Sequence, residues 1–139
     1  MIRGDDMAKA RILVVDDDQL IRQKVRDVLE VAGYAVAEAV DGAEGLAQVA
    51  AFRPDLILLD ILMPNLDGYE VCRSLKADPA TRTIPVIFVT VSTDRDLDRK
   101  SYAAGAAAVI TKPVQREALL AMVNTTLQGV PRKGESTGG

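Results

Sequence analysis

Five short apolar runs recur along the chain: RILVVD at 11–16, AVAEA at 35–39, DLILLD at 55–60, PVIFVT at 85–90 and AAVIT at 107–111. Each is shorter than an ordinary helix and is rich in β-branched or aliphatic residues, so each predicts a strand. Between them the period changes. Leu20, Ile21, Val25, Val28 and Leu29 recur at helical spacing, and Gly33 is placed to end that helix. Comparable segments follow every run, the last over about 117–127. Strands that are apolar almost throughout, without in-out alternation, predict a sheet covered on both faces, hence a parallel sheet with helices on either side. The expected fold class is α/β, a doubly wound five-stranded parallel sheet. Asp41-Gly42, Pro54, Asp78-Pro79 and Gly105 fall between elements as turn signals. No internal repeat is visible. Residues 1–10 and 129–139 are polar or Gly-rich, and are expected to be a flexible extension and a flexible tail or linker around one folded unit at 11–128.

Composition narrows the chemistry. A chain of 139 residues, 48% of them hydrophobic, is one domain with room for a core that needs no staples. No apolar run is long enough to span a bilayer, and the opening MIRGDDMAKA has no hydrophobic stretch of secretory type, so a cytoplasmic protein with no membrane partner is expected. One cysteine, Cys72, excludes an internal disulfide and reads as a small buried hydrophobe. The absence of histidine removes an ordinary zinc site and a histidine general base, and with them most hydrolase readings. A net charge of −3 supplies no basic field, so direct nucleic-acid binding is not expected.

The unusual polar residues sit at the carboxyl ends of the strands, where open parallel sheets gather their function. VVDDDQL at 14–20 ends the first strand in three aspartates; Asp60 ends the third, Thr90 the fourth, and Lys112 follows the fifth. If the first and third strands are neighbours, Asp16, Asp17 and Asp60 converge with a hydroxyl and an ammonium beside them. That excess of negative charge and its hard oxygen donors suit Mg²⁺. Asp18 is placed to cap the first helix instead.

Each residue alone has a plainer reading. Aspartates before a helix are commonly caps, Asp60 could be a solvated strand end, Thr90 an ordinary strand residue and Lys112 a surface lysine. Gly68 reads as a loop residue needing positive φ, ahead of a plain flexible turn, and Tyr102 as core packing rather than a functional aromatic.

Taken in order, VVDD at 14–17, LLDILMPNLDG at 58–68, VT at 89–90 and TKP at 111–113 resemble the receiver domain of two-component response regulators, including the chemotaxis type, over about 11–127. The resemblance implies a (βα)5 flavodoxin-like sheet in strand order 2-1-3-4-5. It implies that Asp60 accepts a phosphoryl group from a histidine kinase or phosphotransfer protein. Asp16, Asp17 and Asp60, with the backbone carbonyl of Leu62, would hold Mg²⁺, while Thr90 and Lys112 would bind phosphoryl oxygens. Such a domain is a signalling switch rather than an enzyme, although it assists its own phosphotransfer and autodephosphorylation. Its expected partners are the kinase and a downstream effector or fused output domain, with a phosphorylation-dependent dimer as a further expectation.

Other functions fit less well. An aspartate-nucleophile phosphatase needs its acid-base aspartate two residues past the nucleophile, where Leu62 stands. A flavin binder needs a phosphate loop after the first strand, where the acids of DDDQL repel phosphate. A degenerate receiver, working as a phosphorylation-independent interaction module, remains the alternative; the intact set Asp16, Asp17, Asp60, Thr90 and Lys112 argues against it. Two departures stand out from the family pattern: Val109 occupies a position usually aromatic, and Val91 one usually smaller.

Overall fold

A computed structural model describes residues 9–129. The flexible ends expected from the sequence lie, for 1–8 and 130–139, outside the described residues. Strands β1 (Arg11–Val15), β2 (Ala35–Ala39), β3 (Leu56–Leu59), β4 (Val86–Thr90) and β5 (Ala108–Thr111) alternate with helices α1 (Gln19–Val31), α2 (Gly42–Phe52), α3 (Gly68–Ala77), α4 (Leu97–Ala103) and α5 (Arg116–Gln128). All strand pairs are parallel and the order is β2-β1-β3-β4-β5, as expected from the sequence and its resemblance.

The period-two geometry of a strand divides the apolar runs between two cores. Ile12, Val14, Leu56, Leu58, Ile87 and Val89 face α1 and α5, where they meet Val25, Leu29, Leu119 and Val123. Leu13, Val15, Ile57, Leu59, Val86 and Phe88 face α2, α3 and α4, where they meet Val49, Val71, Cys72, Leu75 and Leu97. Residues 12–15 of β1, all of β3 and residues 86–89 of β4 are therefore apolar at every position, which is the missing alternation of the sequence. Burying one such side chain completely is worth about 1.5–3 kcal/mol. Cys72 lies in the second core, and burial pushes its thiol pKa up.

Helix ends follow their sequence signals. Asp18 caps α1, its carboxylate accepting from the amides of Leu20 and Ile21. Gly33, at φ +102°, follows α1 in the left-handed conformation expected there. Asp41 caps α2, and Asp67 with Glu70 forms a reciprocal capping box on α3.

Two helical residues depart from expectation. Leu20 belongs to the helical apolar pattern but is 76% exposed. It lies in the first turn of α1, and the buried stripe of that helix runs through Arg22, Val25 and Leu29 instead. Tyr102, expected in the core, is 54% exposed. The α4 positions turned inward are Leu97 and Ser101, so the next residue around the helix points out.

Candidate functional site

The strand order makes β1 and β3 neighbours at the point where the chain reverses direction across the sheet, and the crevice beyond their carboxyl ends is the natural site of such a fold. Asp16 and Asp60 each sit one residue past their strand. The amide of Asp60 donates to the Val15 carbonyl at 2.9 Å and that of Asp16 to the Ala39 carbonyl at 3.1 Å, so the sheet's ladder itself fixes both carboxylates.

Both carboxylates are buried, and Lys112 bridges them: its Nζ lies 2.8 Å from Asp16 Oδ2 and 3.3 Å from Asp60 Oδ2. The Asp18 amide donates to Asp16 Oδ1 at 2.9 Å, and the Leu62 amide to Asp60 Oδ1 at 3.3 Å. Burial and then the Asp16 charge raise the pKa of Asp60, against the opposing influence of Lys112. For Lys112, burial disfavours the charge, but the hydrogen bond to Asp16 and the charges of both carboxylates outweigh it and hold the ammonium pKa above its usual value. Charge inside this crevice is therefore underneutralised: two buried carboxylates share one cation.

Asp17 is exposed and completes the acidic group; one carboxylate oxygen from each of Asp16, Asp17 and Asp60 lies within 4.8 Å of the others. These hard donors on a crowded anionic site fit Mg²⁺. Thr90, fully buried, ends β4. Its Oγ1 accepts from the Ser92 amide at 3.4 Å, while its carbonyl accepts from the Lys112 amide at 2.8 Å, which ties the ends of β4 and β5 together. Leu62 and Val91 are each 56% exposed on the segments that follow Asp60 and Thr90. The peptide bond between Lys112 and Pro113 is cis.

Gly68 corrects one sequence expectation. It does not have positive φ; it opens α3, and a Cβ there would stand 2.4 Å from the Asp60 carbonyl oxygen and 2.7 Å from Ile61 Cα. Glycine is required by close approach, and the positive φ in this loop belongs to Asn65 at 71°.

Sequence reasoning also missed Arg22. Its Nη1 donates to the Asp16 carbonyl at 2.6 Å while its Nε lies 3.0 Å from Glu38 Oε1 on β2. The signal was available: Arg22 shares the buried stripe of α1 with Val25 and Leu29, and a cation there needs an anion opposite it.

Comparison with known proteins bears on the family and the fold. The response regulator receiver domain family matches residues 12–124. Protein PilH of Pseudomonas aeruginosa is 40% identical over 86% of this chain and 99% of its own length. The DNA-binding dual master transcriptional regulator RpaA of Synechocystis sp. is 40% identical over 88% of this chain, which spans only 51% of that relative. Among solved structures, the signal receiver domain of a signal transduction histidine kinase from Syntrophus aciditrophicus aligns with TM-score 0.82 and 38% identity, covering 92% of this chain and 97% of that one.

Proposed function

Since the chain belongs to the response regulator receiver domains of two-component signalling, we propose that it works as a phosphorylation-activated switch with Asp60 as the phosphoacceptor. The observation that carries this reading is the buried Asp60 carboxylate at a strand end, sharing Lys112 with Asp16.

A carboxylate attacking a phosphoryl group brings anion to anion, so positive charge must stand where negative charge collects. Asp16, Asp17 and Asp60, with the Leu62 carbonyl, would hold Mg²⁺, which when bound supplies that charge beside the phosphoryl oxygens. The Leu62 and Asp18 amides and the Lys112 contacts keep both buried carboxylates aimed into the crevice. With a phosphohistidine donor, an Asp60 oxygen forms the new bond to phosphorus as the nitrogen–phosphorus bond breaks; the imidazole keeps the electron pair and takes up a proton. Lys112 then exchanges the Asp60 carboxylate for a phosphoryl oxygen, and the Thr90 hydroxyl donates to another. The histidine-bearing partner is a kinase or phosphotransfer protein, and the output is an effector or a fused domain. A cytoplasmic setting fits such partners, and no helix among the described residues is long and apolar enough to cross a membrane.

The test is a small phosphodonor with Mg²⁺, read by intact mass on the full chain and on Asp60→Asn. One added phosphoryl group on the natural chain and none on the variant is expected. Modification retained on Asp60→Asn overturns the assignment, and no modification of either favours a phosphorylation-independent interaction module.

A further inference from the structure

A buried cation holds the Asp16 carbonyl from behind. Arg22 belongs to the inward stripe of α1, and its Nη1 donates to that oxygen at 2.6 Å. The Asp16 amide is tied to the Ala39 carbonyl at 3.1 Å, Oδ1 accepts from the Asp18 amide at 2.9 Å and Oδ2 takes Lys112 Nζ at 2.8 Å. Every polar atom of Asp16 therefore has a partner. The bond from Arg22 differs from the rest in acting on the next residue as well. A peptide unit is planar, so holding the Asp16 oxygen sets the plane that carries the nitrogen and Cα of Asp17. Asp17 is exposed, yet it offers an oxygen within 4.8 Å of those from Asp16 and Asp60. Its aim starts from a peptide plane that a side chain six residues on keeps in place.

Arg22 is itself aimed by Glu38 on the edge strand β2. Glu38 stands opposite Val14 in the β1–β2 register, on the sheet face that α1 covers. Its Oε1 takes Arg22 Nε at 3.0 Å and its Oε2 takes Arg26 Nη1 at 2.8 Å, while Arg26 Nε reaches Glu30 Oε2 at 3.1 Å. Two guanidiniums and two carboxylates balance one another, so the group adds little net field at the acidic crevice. Its bearing on that crevice is geometric, through the bond from Arg22 to the Asp16 carbonyl.

We propose that Arg22, aimed by Glu38, is a positioning residue for divalent-cation binding: it holds the peptide between Asp16 and Asp17 so that the carboxylates meet the cation already arranged. The proposal rests on the Mg²⁺ reading of Asp16, Asp17 and Asp60. Groups standing behind metal ligands govern affinity by fixing the ligands' orientation, and an arrangement made in advance spares the ordering that binding would otherwise require. Without the guanidinium the peptide plane is free to rotate, and Asp17 loses its register with Asp16 and Asp60.

Calorimetric titration of the full chain with MgCl₂ tests this, beside denaturant unfolding in EDTA, which reports the structural cost of each variant separately. Arg22→Met keeps an apolar stem and is expected to weaken Mg²⁺ binding about tenfold, the lower end for a lost group behind metal ligands. Arg26→Met removes the outer ion pairs without touching the Asp16 carbonyl; it is expected to lower stability while leaving Mg²⁺ affinity within about twofold. Affinity unchanged in Arg22→Met, or lost equally in both variants, overturns the proposal in favour of a purely structural network. If Arg22→Met does not fold, Arg22→Gln, polar but shorter, is read in the same way. With acetyl phosphate, modification of Asp60 in Arg22→Met is expected to slow at limiting Mg²⁺ and to recover the natural rate at saturation. A rate that stays low at saturation places the fault at Asp60 and overturns the proposal. A natural chain that binds no Mg²⁺ fails the metal reading itself, and the proposal with it.

Discussion

Gly68 and Asp60 approach so closely that α3 begins against the backbone of the residue at the centre of the site: a Cβ on Gly68 would lie 2.4 Å from the Asp60 carbonyl oxygen. The neighbouring atoms are main chain and cannot swing away. Gly68→Ala is therefore expected to cost about 1–3 kcal/mol, as overpacking does, and to slow modification of Asp60 by displacing its carboxylate. Denaturant unfolding and the rate of phosphoryl uptake check the two parts. A loss below about 0.5 kcal/mol, the range of neutral surface substitutions, would show that the α3 start yields freely.

Metal should stabilise the unmodified fold. The crowding of Asp16, Asp17 and Asp60 is relieved by a bound cation, and at a hundredfold excess over Kd linkage contributes about 2.7 kcal/mol, several degrees in Tm for a domain of this size. Asp17→Asn should blunt this rise. Asp60→Asn, which removes a buried charge that burial and Asp16 both disfavour, should raise the Tm of the metal-free protein. A Tm indifferent to millimolar Mg²⁺ would count against the metal site.

Val91 and Leu62 bear on lifetime. Leu62 follows Asp60 by two residues and Val91 follows Thr90 by one, and both are more than half exposed, where an apolar side chain would hinder the approach of a water to a phosphorylated Asp60. Slow self-dephosphorylation is expected, with Val91→Ala shortening the phosphoryl half-life several-fold. An unchanged or longer half-life in Val91→Ala removes the steric argument.

Glu38 makes stability depend on acid pH. The hydrogen bond from Arg26, joined by that from Arg22, holds its carboxyl below the usual glutamate range against the opposing effect of burial. A depressed folded pKa means stability that is present above the unfolded value and is lost as pH falls through the folded one. Glu38→Gln should therefore cost about 1 kcal/mol near neutrality, a figure discounted because the carboxylate is partly solvated. That difference should fade below the ordinary glutamate range. A gap between natural chain and variant that persists unchanged in acid would show that packing, not charge, carries the effect.

Strand positions, the two-sided cover of the sheet and the cluster of Asp16, Asp17, Asp60, Thr90 and Lys112 at strand ends were legible in the sequence. The reason is local: period, caps and turn residues act within a few positions of one another, and an aspartate closing an aliphatic run is visible without any partner. The same locality explains the misreadings. Gly68 was read through its own backbone, but the contact that demands glycine comes from Asp60, and nothing in its neighbourhood of sequence reports that distance. Tyr102 was read from its apolar ring, whereas its exposure is set by which side of α4 meets the sheet. Arg22 with Glu38 of β2, and the sharing of Lys112 between carboxylates 44 residues apart, depend on the order β2-β1-β3-β4-β5. Only folding brings those strand ends side by side, because side-chain hydrogen bonds and desolvated charges act over a few ångströms of space, whatever the separation along the chain.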